Sequence, residues 1–282
     1  MSIKLIVDSA SDIDKNEADK RGIILIPMEI SFGNETYLDG VNLSHNEFFE
    51  KLVEGDIFPK TSQINEFRFE EEFKKASADG SDVICITMSS KLSATHQSAV
   101  SAAKKFGGKV KVIDSKNACL GERVLIDYAK RLIGEGRAAE DIEKELNAVK
   151  GKIKVLALLN TLKYLQKGGR ISYLAAFAGG LLNIKPVVAV EGGEVKLKGK
   201  AVGSKKGNNL LVQLIEKSGG IDFNMPYGVG YSGLSDNLLK KYLSDSAYIW
   251  QGHTDSIPSY QIGSTIGTHV GPDGIVVAFF SK

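Results

Sequence analysis

Small clusters of hydroxyl residues, two of them beside a histidine, are the groups in this sequence best suited to chemistry. They are Thr61-Ser62, Ser93, Thr95-His96 and Thr268-His269. A carboxylate taken out of water is strongly destabilised unless several donors satisfy it. Hydroxyls donate without adding charge, and an imidazole can add one positive charge near neutral pH. Together these residue types are suited to holding a buried anionic group.

Each cluster also has an ordinary structural interpretation. Thr61-Ser62 fits a turn, Ser93 fits a helix N-cap, and His269 fits a structural histidine in Gly267-Thr268-His269-Val270-Gly271. Ser and Thr are common at caps and turns. The residue types alone leave both interpretations open.

The segment from 171 to 182 is apolar on every side, which is typical of a buried helix. We expect either a core helix or the wall or lid of an apolar tunnel. Its length is too short to span a bilayer, although it could enter a membrane surface.

Ser93, with His269 as base and Asp8 or Asp114 as orienting group, has the residue types of a serine hydrolase. No G-x-S-x-G elbow supports this alternative, and no phosphate-loop motif supports a third one, a kinase-like or sugar-phosphate enzyme. Gly228 to Gly233 matches G-x-G-x-x-G, but a strand-to-helix turn is favoured there over a cofactor site. Scattered histidines and two cysteines predict no metal site and no disulfide framework.

The elements that must position these residues follow an alternating pattern. Apolar runs at 3–7, 22–32, 82–88 and 109–113 alternate with helical segments, which predicts a parallel sheet with helices on both faces. Ligands of such sheets sit beyond the carboxyl ends of the strands. The loops at Asp8-Ser9, Thr61-Ser62, Ser89–Ser93 and Asp114-Ser115 mostly fit that position.

The second half of the chain has a different pattern. Strands are predicted at 184–190, 227–231 and 275–280, with a hairpin turn at Gly192-Gly193 and interleaved helices. We therefore predict an α/β protein with a parallel α/β/α domain at 1–157 and an α+β domain at 158–282.

Composition sets the broad class of protein. The 282 residues include 36 basic and 34 acidic side chains, a net charge of +2, which gives no reason to expect a nucleic-acid partner. The first residues enter a strand pattern at once, with no signal-peptide pattern and no long apolar run. A cytoplasmic protein is expected.

Several ordered motifs resemble the DegV family over the full length of the chain. The landmarks are Val7–Asp12, Pro59–Gln63, Ser89–Thr95, Asp114-Ser115, Leu165–Ser172, Leu181–Pro186 and Ile266–Pro272. The known family members include the acyl-binding subunits of bacterial fatty acid kinase.

The resemblance implies two α/β domains with a long-chain fatty acid in a tunnel between them. By carry-over, Thr61, Ser62, Ser93 and His269 hold the carboxylate. The tunnel wall comes from the apolar segment, through Ile171, Leu174, Phe177 and Leu181. The chain itself is then a lipid-binding protein rather than an enzyme, with no cofactor. A separate ATP-binding kinase subunit converts the bound carboxylate to an acyl phosphate for phospholipid synthesis.

The sequence departs from the family pattern at three positions. Ala94 and Ile64 stand where Gly and Pro are frequent, and these changes are expected to adjust loop shape. Val202 occupies the arginine position of a Lys-x-Arg-x-x-Lys-Lys stretch that is linked to acyl transfer with the kinase. The last departure bears on the kinase partnership and leaves lipid binding unaffected.

Overall fold

A computed structural model describes residues 2–170, 184–253 and 257–282. The strands of the N-terminal half are β1 (Ile3–Asp8), β2 (Ile23–Ile26), β3 (Glu29–Phe32), β4 (Glu35–Leu38), β5 (Lys60–Ser62), β6 (Asp82–Thr87) and β7 (Val110–Asp114). Its helices are α1 (Lys15–Arg21), α2 (His45–Glu54), α3 (Glu66–Ser77), α4 (Thr95–Ala103), α5 (Leu120–Gly134) and α6 (Ala139–Val149).

The predicted parallel sheet is confirmed. Its strand order is β2-β1-β6-β7, and every neighbouring pair is parallel. The apolar runs form strands because they are buried between layers of helices, as in β1, whose last four residues are all buried. The strands end at Asp8, Thr87 and Asp114, so three of the four predicted loops lie at their carboxyl ends.

A second, three-stranded antiparallel sheet in the order β4-β3-β5 corrects two expectations. The apolar run from Gly22 to Phe32 is two strands in different sheets, interrupted at Pro27, which has no N–H for a ladder. The Pro59–Gln63 segment, expected to be loop, contains β5, in which Thr61 pairs with Ile30 of β3. Thr61 and Ser62 therefore sit on an edge strand.

The described elements of the C-terminal half form a mixed sheet with helices. The strands are β8 (Ile153–Leu158), β9 (Ile184–Glu191), β10 (Glu194–Val202), β11 (Tyr227–Ser232), β12 (Ser259–Gln261) and β13 (Gly274–Phe280). The helices are α7 (Lys163–Lys167), α8 (Ser204–Lys217), α9 (Asn237–Asp245), α10 (Ala247–Trp250) and α11 (Ser264–Val270). The sheet order is β10-β9-β8-β13-β11-β12, antiparallel except between β11 and β12.

The expected boundary between residues 157 and 158 falls inside β8. Ile153 to Leu158 all pair with β13, and four of them also pair with β9. We therefore propose that the C-terminal unit begins before Ile153.

The Gly192-Gly193 turn joins β9 to β10 with φ values of 63° and 88°, as a tight hairpin between these strands requires.

Helix α5 joins the two halves. It packs against β13 and β8 of the mixed sheet and also against β1 and β6 of the parallel sheet. One hydrophobic core contains Leu5 and Ile84 of the parallel sheet, Leu125 of α5, and Val155 and Val276 of the mixed sheet. A second core lies on the other face of the mixed sheet, beneath α8 and α9. No described helix is long and apolar enough to cross a bilayer.

Candidate functional site

A pocket lies between the strand-end loops of the N-terminal half and one face of the mixed sheet, with about 820 Å³ of space that includes a part open to solvent. Most of the side chains that line it are apolar and come from both halves of the chain. They are Met28, Met88, Leu92, Ala118, Val155, Ala157, Leu165, Val188, Ala189, Val190, Val195, Ile266, Val270 and Val276.

The structure brings the four predicted head-group residues to this pocket. Thr61, Ser62, Ser93 and His269 all line it, although they come from three separate parts of the chain. The Thr61 hydroxyl lies 3.2 Å from Nε2 of His269, so one hydrogen bond links β5 to the end of α11. A mostly apolar pocket therefore carries a cluster of hydroxyl and imidazole groups.

Burial disfavours the charged form of the His269 imidazole. The pKa of His269 falls from 6.5 to about 4, mainly because the ring is removed from water and secondarily because the Arg170 guanidinium lies nearby. Nδ1 of the ring is buried and has no hydrogen-bond partner among the residues that the structure describes. A Cβ on Gly168 would lie 2.1 Å from that atom, so the ring packs directly against the backbone of this glycine.

Arg170 brings a positively charged side chain to the lining of the pocket. It lines the pocket, its side chain is exposed, and its Nη1 donates to the carbonyl of Gly168 at 2.9 Å. The residue lies inside the Leu165–Ser172 landmark, so the Gly-Gly-Arg stretch was the available signal.

Two buried carboxylates hold the helix that carries His269. Asp39 accepts hydrogen bonds from the N–H groups of Ser264 and Thr265 at 3.0 and 3.1 Å, and from the Thr265 hydroxyl at 2.6 Å. Asp12 accepts from the N–H of Gly263 at 2.8 Å. Because the first N–H groups of a helix have no partner within it, these acceptors fix the start of α11. Sequence reasoning missed both residues in this role.

Burial also raises the pKa of Asp12 to about 7, against the opposing effect of its hydrogen bond from Gly263. This carboxyl group therefore titrates near neutral pH.

The hydrolase alternative receives no support from these contacts. The Ser93 hydroxyl is paired with Thr95 at 2.9 Å rather than with His269. Asp8 accepts from the N–H groups of Ala10 and Met88, at 2.9 and 2.8 Å. Asp114 accepts from the Ser90 hydroxyl at 2.6 Å. A nucleophile, a base and an orienting acid are therefore not joined as a triad requires.

The Gly228–Gly233 segment is not the strand-to-helix turn that was expected, because residues up to Ser232 belong to β11. Its glycines permit close approach instead. A Cβ on Gly228 would lie 2.9 Å from Tyr260, and one on Gly230 would lie 3.0 Å from both Ile262 and Leu120. No three His, Cys, Asp or Glu side chains cluster like metal ligands within the described ranges.

The proposed tunnel wall of Ile171, Leu174, Phe177 and Leu181 lies outside the described residues. Its role, and the contact of the 171–182 segment with a membrane surface, stay predictions. Hydrogen exchange in this segment, measured with and without lipid vesicles, tests them. Equal protection in both conditions would contradict the membrane contact.

The fold and the pocket together define an α/β protein with a candidate small-molecule site, a mostly apolar pocket between a parallel and a mixed sheet. The chain belongs to the DegV family of uncharacterised proteins, which it matches over residues 2–282.

A DegV domain-containing protein of Caldanaerobacter subterraneus subsp. tengcongensis is 34% identical and is covered over 99% of both chains. Among solved structures, a DegV family protein from Thermus thermophilus described as binding fatty acid superposes with a TM-score of 0.87, at 29% identity. The match covers 99% of this chain and 100% of that one. A stearic acid-binding protein from Eubacterium ventriosum also gives 0.87, at 27% identity, with 99% and 98% coverage.

Proposed function

We propose that this protein binds one long-chain fatty acid in the pocket between its two halves. The acyl chain lies along the apolar walls, and the carboxylate lies at Thr61, Ser62, Ser93 and His269. The observation that carries this proposal is the meeting of a mostly apolar pocket with a cluster of hydroxyl and imidazole groups. The Thermus thermophilus and Eubacterium ventriosum proteins are described as binding fatty acids, which combine an apolar chain with a carboxylate as this pocket would require.

The acyl chain accounts for most of the expected affinity. Each buried methylene contributes about 0.8 kcal/mol, so a long chain is bound tightly by apolar contact alone. The head-group cluster contributes orientation and selectivity.

A carboxylate needs donors and a nearby positive charge when it leaves water. Thr61 and Ser93 supply hydroxyl donors, and Arg170 supplies the charge from the exposed rim. A bound carboxylate beside the ring favours the imidazolium form, so the pKa of His269 is expected to rise when the ligand binds.

Solvent extraction of the purified protein followed by mass spectrometry tests the binding proposal. About one fatty acid per protein molecule is expected, because the proposal places one acyl chain in this pocket. In His269→Ala the acyl content should fall. His96→Ala is the matched control, because His96 is a half-buried histidine that bonds to Thr87 and does not line the pocket. An empty wild-type protein that cannot be loaded with stearic acid would contradict the proposal.

The proposal extends to a partner, a separate kinase subunit that transfers the γ-phosphoryl group of ATP to the bound carboxylate. The products are ADP and an acyl phosphate. Similarity to the acyl-binding subunits of fatty acid kinase supports this step. Val202, at the end of the edge strand β10, is 60% exposed and stands where those proteins carry arginine.

A reconstituted assay with a kinase subunit, ATP and the lipid-loaded protein tests the partnership. Formation of acyl phosphate is expected to be slow with the wild type and faster with Val202→Arg, because an arginine can neutralise developing phosphate charge. Val202→Lys is the control for charge without the planar fork of arginine. Absence of acyl phosphate with every variant would confine the function to binding.

A further inference from the structure

Thr95 occupies a junction between two segments of the proposed head-group site. Its side chain is fully buried and does not line the pocket. Its hydroxyl oxygen lies 3.2 Å from the N–H of Ile64, which follows the Thr61–Gln63 segment, and 2.9 Å from the hydroxyl of Ser93. One side chain therefore connects the β5 segment to the loop that carries Ser93.

The direction of the Thr95–Ser93 hydrogen bond follows from the available partners. Thr95 Oγ1 accepts the N–H of Ile64, so its own proton still requires an acceptor, and Ser93 Oγ is the one within the contacts that the structure gives it. Buried hydroxyl protons are nearly always paired. Ser93 Oγ also accepts the backbone N–H of Thr95 at 3.2 Å. Two donors therefore point at the lone pairs of the Ser93 hydroxyl oxygen, and the hydroxyl proton of Ser93 remains available to donate to another acceptor.

We infer that Thr95 is a positioning residue that makes Ser93 a hydrogen-bond donor toward the ligand in the pocket. The chain of donors runs from Ile64 N–H to Thr95, from Thr95 to Ser93, and from Ser93 to the carboxylate. Successive hydrogen bonds of this kind polarise one another, which strengthens the last donor. This inference rests on the proposed fatty-acid site, since it names how one of its donors is set.

A double-mutant cycle between Thr95 and Ser93 tests the inference, with displacement of a fluorescent fatty acid by stearic acid as the readout. Thr95→Val keeps the branched shape and removes the hydroxyl. It should weaken binding about tenfold, the effect of one hydrogen bond to a charged group. In the Ser93→Ala background the same change should have less than about a twofold effect, because the donor through which Thr95 acts is already gone. Thr95→Ser should restore binding.

Controls separate positioning from a general loss of structure. Thr87 is also fully buried, and its hydroxyl bonds to the His96 ring at 2.9 Å. Thr87→Val should bind stearic acid like the wild type. If Thr95→Val does not fold, Thr95→Ala gives the same cycle without a misplaced methyl group.

Equal losses for the Thr95 change in both backgrounds, or no loss in either, would overturn the role of Thr95 while wild-type binding stands. If the wild-type protein neither contains nor takes up a fatty acid, the proposed function fails, and the inference fails with it.

Discussion

Substitution of Gly168 by alanine should disable the head-group site through one contact, the packing of the His269 ring against this glycine. The backbone at Gly168 has φ −75° and ψ −11°, a conformation that alanine adopts freely. A Cβ would nevertheless lie 2.1 Å from Nδ1 and 2.7 Å from Cε1 of His269. Ordinary contact begins at 3.4 Å, so the ring has to retreat by 1.3 Å from the first of these atoms.

A displacement of that size cannot keep the present hydrogen bond between His269 and Thr61. The hydrogen bond is 3.2 Å long. A sideways shift of the His269 ring would break this bond, and a shift of the ring straight toward Thr61 would bring the two side chains into collision. If the imidazole contributes one hydrogen bond to a carboxylate, about 1.5–3 kcal/mol is at stake. Affinity for stearic acid should therefore fall by about tenfold to a hundredfold.

Equilibrium titration of Gly168→Ala with stearic acid measures this loss, and thermal unfolding reports the strain. Gly151→Ala is the matched control, since a Cβ there meets nothing within 4 Å. The double variant Gly168→Ala/His269→Ala should unfold at a higher temperature than Gly168→Ala alone, because removal of the ring removes the clash. Wild-type affinity in a folded Gly168→Ala protein would refute the assignment of His269 to the head-group site.

Three further predictions follow from the same region. Asp39→Ala should lower the free energy of unfolding by about 3 kcal/mol in urea denaturation, because it leaves buried N–H groups at the start of α11 without an acceptor; a loss under about 0.5 kcal/mol would contradict this role. Asp12 has a pKa raised from 3.8 to about 7 in the folded protein, so its contribution to stability is complete below pH 4 and is lost as the pH rises through 7. Asp12→Asn keeps an oxygen acceptor for the N–H of Gly263. In this variant the unfolding temperature should fall less steeply between pH 5 and pH 8 than in the wild type. An unchanged dependence of the unfolding temperature on pH would contradict the raised pKa of Asp12. Ala157→Leu adds bulk at the pocket wall and should shift the binding preference in a series of saturated fatty acids toward shorter acyl chains. Each methylene excluded from the pocket should cost about fourfold in affinity. An unchanged preference would mean that the acyl chain binds elsewhere.

The parallel sheet was predictable because its signal is local. The runs that form β1, β6 and β7 are short, apolar and followed by small polar residues, and these properties are sufficient to predict a buried strand with a loop at its end.

Features that depend on distant partners could not be predicted in the same way. The three residues of β5 are polar, and they form a strand because β3 lies beside them. Likewise, the sequence of β8 shows only an apolar run. It belongs to the second sheet because it pairs with β13, which lies near the end of the chain. Local pattern does not specify which sheet a strand joins.

The candidate site shows the same division between local and distant information. Thr61, Ser62, Ser93 and His269 were identified through ordered motifs, and the structure places all four at one pocket. The neutral state of His269 was not predictable, because it results from burial by residues far along the chain. The roles of Asp12 and Asp39 depend on contacts with α11, more than two hundred positions away in sequence.

The burial of helix α5 between the two sheets has a kinetic consequence. Since one continuous core spans both halves, the halves are expected to melt in a single cooperative transition rather than one after the other. Separation of the two sheets would have to break that core, so a fatty acid bound as proposed is expected to leave by local opening at the rim of the pocket. Its residence time is then set by how often the rim opens, and a variant that loosens the rim should speed both entry and exit while leaving the equilibrium affinity nearly unchanged.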